Sequence, residues 1–312
     1  MEPVLHSFAT MVIVTEFIFG NLSNGFIVLS NFLDCITKQK LSSMDKILLT
    51  LAISRITLIW EIYIWFNSIC DPSLSVIRIE IQILYFSWML SSHFSIWLAT
   101  ALSIFYLFRV ANFSWPIFLY WKWRLKKLIV GVMLGSLAFL LANLMQTSIT
   151  LEERIHQYGG NTTVNFMGMG FAMFSEQTLF NMTLFSVTPF SLALISFLLL
   201  IFSLWRHLQK MQLNSRGHRD PSTKAHTNAM KIMVSFLLLY ATYFLSLLIA
   251  WIAEKHHSEP VHIFCMITGL MYPSAHSSVL ILGNSKLKQT SLLILRRLGC
   301  RLNVQATNCH VF

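Results

Sequence analysis

The sequence predicts an all-α membrane protein built as a seven-transmembrane helix bundle, and three observations predict it. First, 55% of the 312 residues are hydrophobic and only 12% are charged, with a mean hydropathy of +0.62. A soluble domain carries about twice that share of charge. Second, the charges cluster and leave apolar gaps. Residues 3–33 contain only Glu16, and 47–70 contain only Arg55 and Glu61. Residues 81–108, 128–151, 177–205, 232–253 and 260–285 contain no Asp, Glu, Lys or Arg. Each gap can cross a bilayer as a helix of about 20 residues, and each is too long for one strand of a membrane β-barrel. Third, the loops alternate in charge. Of 23 Lys and Arg, 19 fall in 34–46, 109–127, 206–231 and 286–312. This positive-inside pattern places the N-terminus outside and the C-terminus in the cytosol. The net charge of +10 then faces anionic lipid and cytosolic partners, not nucleic acid.

The first span, 8–33, has nothing basic before it and is long for a signal-peptide core, so it reads as its own insertion signal. The second span, 47–68, holds Arg55 and Glu61, and the third is 82–106. The fourth, 128–149, contains "GVMLG", whose Gly131 and Gly135 fit close helix packing, within the bundle or at a dimer face. The fifth, sixth and seventh are 181–204, 230–252 and 261–284. The basic loop between the fifth and sixth is broken at "DPS", and its edges extend both helices. In the cytosolic tail, 285–312, "KLKQTSLLILRRLG" reads as a short amphipathic helix on the inner leaflet ending near Gly299. No internal repeat is present, so 1–312 is expected to be a single seven-transmembrane domain.

Of five cysteines, Cys70 has no outer partner because Cys265 lies within the seventh span, and Cys300 is either a palmitoylation site or a free thiol. Among the N-x-S/T sequons, Asn21 lies within a span, Asn112 is cytosolic and Asn181 sits at the membrane edge. That leaves Asn161 in the long outer loop as the glycosylation candidate. His256, His257 and His262 cluster near the third outer loop, where solvated histidines are expected and no metal site. No cofactor is expected.

A charge near the bilayer centre costs on the order of 3 kcal/mol and should find partners within the protein. At about 1.5 Å per residue, Arg55 lies roughly 12 Å above the inner end of its span. Asn24 comes out at roughly 14 Å, and Ser274, His276, Ser277 and Ser278 at roughly 9 to 15 Å. Arg55 is therefore expected to tie the first, second and seventh spans together through Asn24 and serines such as Ser277, or through carbonyls. The alternative is a side chain that snorkels to the inner interface. Glu16 and Glu61 lie nearer the outside, where each either lines a cavity or is a packed carboxyl.

Several long segments then match one family. They are "LAISR" in the second span, "SHFSIWLATALSIFYLFRVANFSWPIFLYWKWR" from the third span into its inner loop, "TPFSLALISFLLLIFSLWRHLQKMQLNSRGHRDPSTKAHTNAMK", and "YPSAHSSVLILGNSKLKQ". In order and at this spacing, they resemble the type 2 (bitter) taste receptors, seven-helix G-protein-coupled receptors. Unlike rhodopsin-like receptors, the chain has Arg55 for the second-span aspartate, "FYLFR" for D-R-Y, and "HSSVL" for N-P-x-x-Y.

The resemblance implies a ligand pocket among the third, fifth, sixth and seventh spans at Trp88, Ser92, His93, Tyr243 and Met266, with Tyr243 the activation switch. Many relatives have asparagine at Ser92 and some have glutamate at Met266, so the ligands implied are mostly apolar small molecules. It also implies a plasma-membrane receptor for bitter agonists. Coupling would be to a heterotrimeric G protein of gustducin or inhibitory type, with phospholipase C-β and calcium downstream and a receptor oligomer possible. The G-protein-facing residues would be Arg109, Lys122 and Arg124 in the second inner loop, and Lys210, Lys224, His226 and Lys231 in the third. Other readings have less in the sequence to support them. A transporter predicts repeats and midplane acids. An intramembrane enzyme predicts motifs such as H-E-x-x-H or G-x-S-x-G, which the spans lack. A vomeronasal pheromone receptor would not carry "LAISR" and "HSSVLILGN".

Overall fold

The computed structural model describes residues 2–38, 41–70, 75–111, 113–158, 163–165, 176–213, 221–253, 259–294 and 296, with side chains for most of them. Seven long helices are found among these residues: α1 (Glu2–Lys38), α2 (Ser43–Cys70), α3 (Arg78–Val110), α5 (Leu125–Tyr158), α6 (Glu176–Leu213), α7 (Pro221–Ala253) and α8 (Glu259–Gly283). A short α4 (Pro116–Trp123) lies between α3 and α5, and a further short helix, α9, covers 285–294. Six of the long helices carry an apolar stretch long enough to cross a membrane, and α7 carries a shorter one, Met230–Ser246. α1, α3, α5 and α6 overrun their apolar gaps at both ends, and α2, α7 and α8 at their N-terminal ends.

The bundle is helical, with one small extended element beside it. Two three-residue strands, β1 (Ser75–Ile77) and β2 (Thr163–Asn165), pair antiparallel with Val76 opposite Val164. β-branched residues on both sides suit an extended pair, but three residues carry too little alternation to be read from sequence.

Antiparallel succession puts the basic loops at one end of the bundle. α1 packs on α2 and α8, α2 on α3, α6 on α7 and α7 on α8, while α3 touches α5, α6 and α7. α3 is central: residues 95–104 are buried on every face. Small side chains there (Ser95, Ala99, Ala101, Ser103) permit close approach from all sides. Gly20 marks another close contact. A Cβ on it would lie 2.7 Å from Ile59 Cδ1 and 3.0 Å from the Ser274 Cβ, so side chains of α2 and α8 rest directly against the α1 backbone there. Gly131 and Gly135 are different: both are exposed and meet nothing within 4 Å. The within-bundle packing expected for them is overturned, because α5 turns its buried face through Ser136, Leu140, Asn143 and Thr147.

The basic end is held by local polar chemistry. Ser42 and Asp45 form a capping box at the start of α2: the Asp45 amide donates to Ser42 Oγ at 3.1 Å, and the Ser42 amide donates to Asp45 Oδ2 at 3.3 Å. Asn284 Oδ1 accepts from the Lys286 amide at 3.1 Å and starts α9. Lys286 Nζ then reaches Asp34 of α1 at 2.5 Å and Asp45 at 3.3 Å. Partial burial opposes the ammonium charge, but hydrogen bonds and attraction from the two aspartates outweigh it and raise its pKa above the ordinary 10.5. Lys286→Met is expected to lower stability by about 1 kcal/mol or less, read as a small drop in the thermal midpoint of purified receptor. Because the folded pKa is raised, the wild-type advantage is fully present below pH 10.5 and is lost as pH rises through the folded value.

Candidate functional site

A buried polar layer crosses the bundle where α1, α2 and α8 meet. Arg55 is fully buried. Its Nη1 donates to Ser277 Oγ at 2.8 Å, and Nη2 lies 2.6 Å from His276 Nδ1. The Ser277 hydroxyl is 2.7 Å from Asn24 Oδ1 and 2.8 Å from the Pro273 carbonyl, the acceptors it shares. Asn24 Nδ2 donates in turn to the Gly20 carbonyl at 2.8 Å. The guanidinium also lies 5.5 Å from the centre of the Tyr272 ring. A guanidinium only donates, so His276 Nδ1 accepts and the ring proton sits on Nε2. The structure thus brings Asn24, Arg55 and Ser277 together, and adds His276 and Tyr272 as partners the depth argument did not assign. Among the described residues no carboxylate touches Arg55. Glu61 is a packed carboxyl that accepts hydrogen bonds from Ser87 and Ser91 of α3, and Glu16 accepts one from Ser274.

Above this layer, on the side away from the basic end, lies a chamber of about 60 Å³. Four of the five expected pocket residues line it: Trp88, Ser92, Tyr243 and Met266. Gly269 and Tyr272 complete the α8 wall, where Pro273 has no amide to offer the Gly269 carbonyl. Among the described residues the remaining wall comes from α2, through Leu58, Ile62 and Trp65, with none from the fifth span. These three recur at i, i+4 and i+7, a helical stripe visible in the sequence. In an apolar span such a stripe reads equally well as lipid-facing, which is why it was missed.

His93 is not on this chamber. It lines a second one of about 40 Å³, with Asn143 of α5 and Phe185, Ser186 and Pro189 of α6. Ser92, Ile96 and Tyr243 border both chambers. Around them the helices are tied by polar links to α6: Thr100 Oγ1 donates to the Pro189 carbonyl at 3.2 Å, and Tyr240 Oη to the Ser186 carbonyl at 2.7 Å.

Tyr272 connects chamber and layer. Its ring is 5.9 Å from Tyr243, 5.9 Å from Tyr240 and 6.3 Å from His276, in one aromatic pile reaching α7.

At the basic end a cleft of about 1250 Å³ is lined by Arg109, Lys122 and Arg124, with Lys46, Lys126 and Lys127. Lys122 Nζ donates to the Ala111 carbonyl at 2.9 Å, closing the turn into α4, and burial with the nearby Arg109 charge lowers its pKa. Arg124 donates to Tyr120 Oη at 2.6 Å. Lys231 is exposed on α7 and does not line the cleft. The side chains of Lys210, Lys224, His226 and His262 lie outside the described residues, as do Asn161, His256, His257, Gly299 and Cys300.

A bundle of long apolar helices, tied by a buried polar layer and enclosing an apolar chamber, is the architecture of a multi-pass membrane protein. The model of the family "Taste receptor protein (TAS2R)" matches residues 1–299. The chain is 73% identical to mouse (Mus musculus) "Taste receptor type 2 member 102" over 302 residues, 97% of this chain and 91% of that protein. It is 64% identical to mouse "Taste receptor type 2 member 124", covering 98% of this chain and 99% of that one. It is 55% identical to "Taste receptor type 2 member 13" of Pongo pygmaeus, covering 94% and 97%. The chain belongs to the type 2 taste receptor family and is a multi-pass membrane protein.

Proposed function

We propose that this chain is a bitter receptor of the plasma membrane, acting as one domain over 1–312, with its N-terminus outside. Its basic end and α9 are cytosolic, and Asn161 carries a glycan. A bitter small molecule enters from outside and rests in the first chamber against Trp88, Ser92, Tyr243 and Met266. It shifts the receptor only if it binds the active arrangement better than the resting one. The observation that carries this reading is Tyr272, which is at once a chamber wall and the ring beside the Arg55 guanidinium. An agonist that displaces Tyr243 or Tyr272 therefore acts on the contacts joining α2, α7 and α8. α7 then moves at its cytosolic end and opens the basic cleft to a gustducin-type or inhibitory G protein, with phospholipase C-β and calcium downstream. Arg109, Lys122 and Arg124 edge that cleft, with Lys210, Lys224, His226 and Lys231 contributed by the third inner loop and its flanks.

The test is calcium imaging of cells expressing the chain with a gustducin-tailed promiscuous Gα, against a broad bitter panel, with surface staining in parallel. A dose-dependent response that vanishes without the Gα supports the reading. A response that persists without it overturns the proposed coupling.

A further inference from the structure

The cleft at the basic end joins a charged rim to an apolar wall. α2 and α5 both pack on α3, and all three helices line the cleft. Six cations and no carboxylate line it among the described residues. Three of the six, Lys46 at the start of α2 and Lys126 and Lys127 at the start of α5, are exposed. Among the described residues none of these three pairs with a carboxylate. Acids are scarce nearby: Asp45 is held by Ser42 and Lys286, and no Asp or Glu occurs between residues 81 and 151. The wall includes Ile47, Ile129 and Val130. Val130 also begins an outward stripe on α5, continued at helical spacing by Leu134, Leu137 and Leu141, all exposed. In the preceding loop α4 turns out Ile117, Tyr120 and Trp123, the last 88% exposed and itself on the cleft. Apolar surface on this scale is not left to water, and Trp and Tyr beside Lys and Arg are the side chains of a membrane interface.

We propose that this cleft binds a multiply phosphorylated inositol lipid of the adjoining leaflet, its phosphates held by Lys46, Lys126 and Lys127 and an acyl chain lying along Val130 and the α5 stripe. A headgroup with a single negative charge would leave most of the rim uncompensated. A soluble polyphosphate matches the rim but leaves the apolar wall in water, and a neutral lipid covers the wall but leaves the cations unpaired. An amphiphile with several phosphates answers both. The lysine ammonium groups meet the phosphates as point charges, and their stems follow the headgroup. These three lysines are not the cations assigned above to the G protein, so the lipid site stands beside that surface and does not depend on it.

The experiment uses purified full-length receptor in neutral detergent. Binding is read by thermal shift across concentration series of dioctanoyl phosphatidylinositol bisphosphate, dioctanoyl phosphatidylserine and soluble inositol trisphosphate. The bisphosphate lipid is expected to bind about tenfold or more tightly than either of the others. Replacing Lys126→Gln and Lys127→Gln together is expected to weaken it about thirtyfold, and Lys46→Gln alone about fivefold. Lys288→Gln, exposed on α9 and off the cleft, is expected to leave it unchanged. No binding of the bisphosphate lipid, or equal binding in the double variant, overturns the site. So does equal weakening by Lys46→Gln and Lys288→Gln, which would reduce the effect to general surface charge. Phosphatidylserine binding as tightly overturns the need for several phosphates, and inositol trisphosphate binding as tightly overturns the lipid in favour of a soluble polyphosphate. Should the double variant not fold, Lys46→Gln reads the same site from α2. No G protein or bitter compound enters the measurement, so its failure is separate from that of the receptor reading.

Discussion

Arg55→Ala is expected to abolish most surface delivery of the receptor, measured by surface staining against total expression. The side chain is buried among groups arranged only to accept from it or pass its bond onward. Removing it leaves His276 Nδ1 without its donor, frees Ser277, opens a cavity beside Tyr272, and unfastens α2 from α8. Breaking a buried charged network by deleting one partner typically costs about 3–5 kcal/mol, a large part of the stability of any domain. Arg55→Lys is expected to fail nearly as badly. A single ammonium cannot span His276 and Ser277 at 2.6 and 2.8 Å as the guanidinium fork does. Asn24→Ala should cost less, since Ser277 retains the Pro273 carbonyl as acceptor. Normal surface levels for Arg55→Ala, with loss of response to one agonist only, would assign Arg55 to ligand contact and overturn the structural role.

Trp88→Ala is expected to raise the half-maximal concentration of chamber-filling agonists about tenfold or more while surface level is kept. The indole forms part of the α3 wall of a chamber whose α2 side is Leu58, Ile62 and Trp65, and truncation removes a large apolar surface an agonist can cover. Burial of a large aromatic contributes roughly 2–3 kcal/mol, which exceeds the tenfold equivalent of about 1.4 kcal/mol. Tyr243→Ala should shift efficacy as well as potency, because that ring also stacks on Tyr272 at 5.9 Å. Unchanged dose–response curves for several agonists in both variants would place the agonist elsewhere.

How much of this was legible differs between the layer and the chamber. The Arg55 layer followed from arithmetic: a buried charge, a fixed rise per residue, and few polar residues at matching depth left Asn24 and the seventh-span serines as partners. His276 was in that depth window, but serines and carbonyls were the partners expected. Which of its nitrogens accepts is set by the rotation of α8 and not by depth. The capping box at Ser42 and Asp45 was equally visible as S-x-x-D, yet the ion pairs it supports with Lys286 and Asp34 join residues over 240 positions apart. The chambers were least legible. Trp88, Ser92, Tyr243 and Met266 came from resemblance, and resemblance did not separate them from His93. Gly131 and Gly135 carried a small-residue signal, and it pointed to packing the bundle does not use.

By itself the sequence determined where the apolar stretches lie along the chain, which loops collect the basic charge, and that a buried arginine must have partners. These follow from solvent: apolar length, charge placement and the cost of an unpaired charge act along each helix separately. Only the tertiary structure decided which face of α2 meets the chamber, why His93 and Trp88 stand in different cavities on one helix, and how Tyr272 comes to touch both chamber and layer. In an apolar span every face can be lipid-facing, so periodicity carries no inside and outside. Helix rotation is set by close approach at residues such as Gly20, by interhelical hydrogen bonds and by ring packing, all of which exist only between helices.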